Sequence, residues 1–320
     1  MTEMSKTILA EFQVRKSKKQ KAAFRDRLCR ELTAAGYAPT VEKSAVAANV
    51  VVGGPEDAEV LFTAHYDTQA VLPIPNFITP RNLFWYLLYQ ILLMGGIFLI
   101  AGLAAGAVLL FHPPEGVAGM VFGVVALVCC WWLIDGPANK HTVNDNTSGV
   151  ITLVETALAL LVEDRPKVCF VFFDNEEKGM LGSSAFARKH KKVKKGKLVV
   201  NFDCVSDGSS IQFFPSRRLK KEKTMIASLE KAFQGFGDRQ VEIVRGFGFY
   251  PSDNAAFRLG AGVCALRRST VFGWYMSRIH TSRDTVMEEE NIALLRDGCL
   301  RLAGGTTADV TADQRTEKEG

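Results

Sequence analysis

VCFVFFDNEEKGMLGSSAF, residues 168–186, sets a continuous apolar run against an abrupt cluster of acids. From Val168 to Phe173 no side chain is charged, which is how a strand covered on both faces of a sheet reads. The chain then turns through Asp174-Asn175-Glu176-Glu177 and enters a helical stretch, Ser183 to His190. Adjacent carboxylates repel unless a cation or a proton separates their roles. One of the pair can bind metal while the other moves protons.

Outward from this stretch the pattern recurs. Leu198 to Phe202 reads as a strand ending at Asp203, Val60 to Ala64 as a strand followed by His65 and Asp67, and Ala261 to Leu266 as a further apolar strand. Helical stretches alternate with them: Ser148 to Val162, Lys223 to Phe236 and Ile292 to Leu302. Strands alternating with helices specify an α/β sheet covered on both faces, and site residues in such sheets collect at strand ends. The first stretch, Met4 to Gly36, has apolar positions at helical spacing among basic residues and predicts an amphipathic helical start.

In TAHYDT, residues 63–68, positions two apart on an extended chain share a face, so His65 is placed to bind a metal while Asp67 holds its imidazole. Read alone, the same pair also fits a hydrogen-bonded histidine near a strand end. In NDNTSGV, residues 144–150, Asp145 fits a helix cap as well as a bridge between two cations.

Two uncharged stretches stand apart. LFWYLLYQILLMGGIFLIAGLAAGAVLLF (83–111) and GVAGMVFGVVALVCCWWLI (116–134) flank a short turn containing Pro113 and Pro114. A spanning helix needs about 20 apolar residues, so the expectation is a two-helix transmembrane hairpin. Gly102 and Gly106 on the first helix, and Gly119 and Gly123 on the second, suggest close backbone approach. Trp85, Tyr86, Trp131 and Trp132 lie at the outer ends as an aromatic belt would. Arg81 and Lys140 flank those ends while the turn has no Lys or Arg, which orients both ends, and the rest of the chain, to the cytoplasm. A hairpin buried in a soluble core or a subunit interface is the competing reading.

At 320 residues, with 39 basic and 34 acidic side chains, the chain can bury a full core and its charge balance does not call for nucleic acid. Seven cysteines without a CxxC pair suit reduced thiols with no part in the chemistry, and the polar N-terminus does not read as a secretory signal. Two basic segments, Arg15 to Lys21 and Lys189 to Lys197, fit contact with anionic lipid as well as a solvated face.

Taken together, TAHYDT, NDNTSGV, FFDNEEKGMLGSSAF, NFDCVSDG and RIHTSRDT resemble the co-catalytic zinc peptidases of the aminopeptidase Y and glutamate carboxypeptidase II family, peptidase clan MH. The resemblance implies a three-layer α/β/α mixed sheet of the zinc aminopeptidase type. It covers the chain apart from the hairpin at 81–140 and a polar stretch without apolar periodicity at 306–320, expected to be a disordered tail, which leaves a peptidase domain at 1–80 and 141–305. It also implies two Zn²⁺ ions, one held by His65 and Asp203, the other by Glu177 and His280, with Asp145 bridging both. Glu176 would be the general base acting on a metal-bridged water, and Asp67 would orient His65. His112, His141 and His190 take no ligand role.

Tyr250-Pro251-Ser252-Asp253-Asn254 departs from a Ser-Asp-His pattern frequent in relatives, which puts substrate contacts there in doubt. The function implied is a membrane-anchored zinc aminopeptidase acting on short peptides. A glutaminyl cyclase-like transferase, a carboxypeptidase and a non-catalytic membrane module stay open, as does the oligomeric state. Because the hairpin separates two expected ligands, and the stretch from Ile134 to Asp145 spans at most about 36 to 40 Å when extended, the site should lie near the membrane surface.

Overall fold

A computed structural model describes residues 1–304; the expected tail at 306–320 lies outside the described residues. One mixed sheet organises the chain. Its strands are β1 (Thr40–Lys43), β2 (Ala48–Val52), β3 (Val60–His65), β4 (Val168–Phe173), β5 (Leu198–Phe202), β6 (Ser210–Pro215), β7 (Gln240–Ile243), β8 (Leu259–Ser269) and β9 (Gly273–Tyr275). They run in the order β1-β2-β4-β3-β5-β8-β6-β7, with β9 paired to β8. The central four, β4, β3, β5 and β8, are parallel. β2 joins β4, and β6 joins β8, antiparallel.

Helices α1 (Glu3–Glu11), α2 (Lys18–Ala34), α5 (Gly149–Ala159), α8 (Lys223–Ala232) and α9 (Glu289–Leu302) cover one face; α6 (Leu181–Lys189) and α7 (Lys191–Gly196) cover the other. Strand alternation divides the core accordingly. Phe62, Phe170, Phe172, Val200 and Phe202 point to the first face, Leu61, Val171, Phe173 and Val199 to the second. Burying each large apolar side chain contributes about 1.5–3 kcal/mol, so β3, β4 and β5 together hold both layers.

β3 lies between β4 and β5, so the chain leaves it toward one neighbour first and the other later. Sheets of this kind place their sites at the carboxyl ends of the strands where that switch occurs.

Helices α3 (Leu83–Leu109) and α4 (Val117–Asp135) form the expected hairpin, and both are long and apolar enough to cross a membrane. Only Ile97 and Ala101 of α3, and no residue of α4, are buried, so the hairpin is no part of the soluble core. The glycines do not pack as expected: a Cβ added at Gly102, Gly106, Gly119 or Gly123 would meet nothing within 4 Å. The helices associate instead through larger side chains such as Phe98 stacked on Phe122, 6.1 Å between ring centres.

The first basic segment is buried at its two ends and exposed between them, at Ser17 to Gln20. Arg15 is fully buried and Lys21 nearly so, its ammonium 2.7 Å from Asp174 Oδ1. Strands β1, β6, β7 and β9 were not expected from the apolar pattern. They are short or lie toward the sheet's margins, where alternation carries less signal.

Candidate metal centre

The seven side chains singled out above converge at the carboxyl ends of β3, β4 and β5. His65 ends β3, Glu176 and Glu177 follow β4, and Asp203 follows β5. His65 Nε2 lies 3.3 Å from Asp145 Oδ1 and 3.7 Å from Asp203 Oδ1. His280 Nε2 lies 2.9 Å from Asp145 Oδ2 and 3.7 Å from Glu177 Oε2. Ligand-type atoms of His65, Asp145 and Asp203 therefore sit within 4.8 Å of one another, as do those of Asp145, Glu177 and His280. Asp145 belongs to both groups, offering one oxygen to each side. Glu176 forms a third group with His65 and Glu177 within the same limit.

Backbone and amide contacts put each acid in place. Asp67 Oδ1 accepts the Glu176 N–H at 2.9 Å and Oδ2 accepts that of Glu177 at 3.2 Å. Its contact with His65 Nδ1 is 3.5 Å, so its firmest grip is on the turn carrying the paired acids. Gly182 permits that turn: a Cβ there would stand 2.2 Å from the Asp174 carbonyl oxygen.

Asp145 is held by a turn, Val143–Ser148, rather than acting as a helix cap. Asn146 Nδ2 donates to the Phe202 carbonyl at 2.9 Å, and Asn144 Oδ1 accepts the N–H groups of Ser206 and Asp207 at 2.8 and 3.1 Å. The two asparagines of NDN thus fasten Asp145 to the segment that carries Asp203.

Further side chains support the site, of which Asp284, Gln69 and Cys204 have no role assigned from the sequence. Asp284 accepts the N–H groups of Asn144 and Asp145 at 2.6 and 3.0 Å. The Gln69 amide, oriented as its neighbours require, donates to Glu177 Oε1 at 3.2 Å and accepts the His280 N–H at 3.1 Å. Gln69 continues the two-residue alternation of His65 and Asp67, a signal that was available. Ser252 donates to Asp203 Oδ2 at 2.5 Å and Tyr250 to the Asp203 carbonyl at 3.1 Å, so the altered segment around them supports a candidate ligand. One thiol also reaches the site: Cys204, turned by its left-handed backbone, donates to Asp203 Oδ1 at 3.1 Å.

The electrostatics test whether a cation fits. Burial, reinforced by the Asp145 carboxylate, pushes the Glu177 carboxyl well above the usual range; burial, with Asp253, Asp203 and Asp67 adding, does the same for Glu176. Burial opposes a charge on His65, but Asp145, Asp203 and Asp67 outweigh it and raise its affinity for a proton. Burial also raises Asp145, yet the His280 and His65 imidazoles overcome this and hold it below the usual carboxylate range. Five carboxylates here face two imidazoles, and Asp145 Oδ1 is buried without a donor. Divalent cations would supply the missing positive charge and the missing partner, and mixed imidazole and carboxylate donors suit zinc. Asp253, fully buried with both oxygens unpartnered, is pushed up to about 7 by burial.

His65, Asp145, Glu176, Glu177, Asp203 and His280 line a pocket of about 130 Å³ whose remaining walls are Ile78, Tyr86, Cys204, Tyr250, Pro251 and Ile279. Tyr86 comes from the first turn of α3, so the site adjoins the start of the hairpin.

The fold is shared with solved structures. A Porphyromonas gingivalis glutaminyl cyclase superimposes with a TM-score of 0.59 at 14% identity, covering 94% of this chain and 97% of that one. A Zn-dependent exopeptidase from Parabacteroides distasonis gives 0.59 at 15%, covering 94% and 97%. A leucine aminopeptidase precursor from Bacteroides thetaiotaomicron gives 0.57 at 14%, covering 95% of each. No curated protein sequence matches the chain. Residues 127–300, more than half of the chain, match the family described as Peptidase family M28, and the matched span carries Asp145, Glu176, Glu177, Asp203 and His280. The chain belongs to peptidase family M28.

Proposed function

We propose that this M28 peptidase is a membrane-anchored dizinc aminopeptidase that removes N-terminal residues from short peptides. The observation that carries the reading is the pair of ligand groups sharing Asp145. His65 and Asp203 would hold one zinc and Glu177 and His280 the other, with Asp145 placed to serve both.

Bound zinc supplies Lewis-acid polarisation of the scissile carbonyl and lowers the pKa of water. Glu176 takes the proton of the attacking water on its carboxylate and delivers it to the leaving amine nitrogen. Asp67, holding the N–H groups of Glu176 and Glu177, keeps the base and its ligand neighbour in register. Gln69 joins Glu177 to the His280 backbone and limits their drift.

Helices α3 and α4 anchor the enzyme as two membrane spans with the catalytic part on the cytoplasmic side. This reading is supported by their length, their exposed apolar surface and the flanking Arg81 and Lys140. Carbonate-resistant membrane fractionation, with protease protection of tags in the turn and at the C-terminus, tests it.

A glutaminyl cyclase-like reaction is the second reading, favoured by the P. gingivalis structure among those that superimpose. Metal analysis of purified protein, together with free, blocked and glutamine-headed peptides, separates the two. Two zinc ions per chain and amino acid release support the aminopeptidase, with Glu176→Gln slower by about 100-fold or more. Release of ammonia without peptide cleavage identifies the cyclase, and unchanged hydrolysis in Glu176→Gln removes the assigned base.

A further inference from the structure

The inserted hairpin does more than sit beside the site. Tyr86, in the first turn of α3, lines the pocket with His65, Asp145, Glu176, Glu177, Asp203 and His280. Its ring makes an edge-on contact with Phe249, 5.4 Å between centres at 76°. Phe249 is itself tied to the helix entrance, its N–H donating to the Pro80 carbonyl at 2.8 Å. Tyr86 is thus a held wall rather than a free side chain.

The pocket is divided in character. Beside the ligand-type side chains and Cys204, the lining includes Ile78, Tyr86, Tyr250, Pro251 and Ile279, which supply an apolar surface. The polar end of Tyr250 is already engaged with the Asp203 carbonyl, leaving its ring to the pocket. None of these five wall residues carries a charge that could pair with a charged substrate side chain.

We propose that Tyr86 is a specificity-determining residue through which the membrane hairpin forms part of the substrate pocket and selects peptides with an apolar N-terminal side chain. The inference rests on the aminopeptidase reading for its substrate class. The role of Tyr86 in shaping the pocket can be read separately by binding.

The test uses the full chain in detergent micelles with zinc bound, and peptides headed by Leu, Phe, Ala, Lys or Glu. Wild type should favour Leu and Phe. Tyr86→Ala should lower kcat/KM for Leu and Phe peptides by about tenfold, mainly through KM, with little change for the Ala peptide. Tyr86→Trp should narrow the pocket and penalise Phe more than Ala. Phe84→Ala, two residues away on the exposed side of the same helix, is the control and should behave as wild type. Zinc content and thermal midpoint report whether each variant is folded.

Calorimetric binding of Leu-Gly-Gly and Ala-Gly-Gly to the Glu176→Gln protein, with and without Tyr86→Ala, reads the pocket without turnover. Loss of the Leu preference supports the inference. An unchanged preference, or an equal loss for both peptides in a folded variant, overturns it. A wild type that binds with the expected preference but cleaves none of the panel removes the aminopeptidase reading while the Tyr86 assignment stands.

Discussion

Arg15 reaches Thr147 with both terminal nitrogens of its guanidinium, each 3.2 Å from the threonine hydroxyl. Its backbone N–H donates to Thr68 Oγ1 at 2.9 Å, and its side chain also donates to the carbonyls of Phe12 and Tyr66. One buried residue from the N-terminus thereby grips the chain beside Asp67 and beside Asp145, on either side of the hairpin. Burial lowers its affinity for a proton to about 10, with Asp67 and Asp145 favouring the charge, so it remains a cation at neutral pH.

Replacing it with Met should therefore destabilise by about 3 kcal/mol, because several buried acceptors lose their donor together. Arg15→Lys should recover little, since a point ammonium cannot serve acceptors set around a planar fork. Thermal unfolding of the three proteins checks this, and a Lys variant as stable as wild type would contradict it.

Metal stoichiometry distinguishes a shared ligand from a private one. Asp145→Asn should reduce bound zinc at both positions, whereas His280→Ala should reduce it chiefly at one. Zinc per chain at graded free metal reads the difference; equal losses in the two variants would remove the bridging role of Asp145.

Asp67 accepts from two consecutive N–H groups of the acidic turn. Asp67→Asn keeps the size but replaces one acceptor oxygen with an amide donor facing a backbone donor. Activity or zinc affinity should drop by about 10- to 100-fold while the fold persists. Full activity with normal zinc content would show that this grip does not matter.

Two glycines should respond in opposite ways to alanine. At Gly182 the new Cβ would meet the Asp174 carbonyl at 2.2 Å and Asn49 Oδ1 at 2.6 Å, so Gly182→Ala should cost about 3 kcal/mol. At Gly119 nothing lies within 4 Å, and Gly119→Ala should be silent in stability and activity. A severe defect at Gly119 would mean that the face is covered by something beyond the described residues.

The parts of the fold that could be read in the sequence are those where composition alone decides. Val168–Phe173 and Leu198–Phe202 match their strands end to end because the first is apolar throughout, the second apolar but for Asn201, and both are buried on both sides. Six of the seven candidate side chains follow an apolar run or open a helix-like stretch, whereas His280, after Ser277-Arg278-Ile279, stands out only through the resemblance carried by RIHTSRDT. What escaped notice depends on partners far away in sequence. Asp284 looks like any acid until the turn at Asn144 folds against it, and Arg15 looks like part of a basic surface until the strand ends close over it. The glycine stripes misled for the same reason: spacing identifies a smooth face but not which way it turns.

The neck of the hairpin has one more implication. Residues 70 and 138 pair as an antiparallel bridge, so the chain leaves for the hairpin and returns at nearly the same point. During synthesis His65 and Asp67 emerge before α3 and α4, and Asp145, Glu176, Glu177, Asp203 and His280 emerge after them. The order of birth therefore means that the reaction centre cannot be completed until the ribosome has finished both apolar helices.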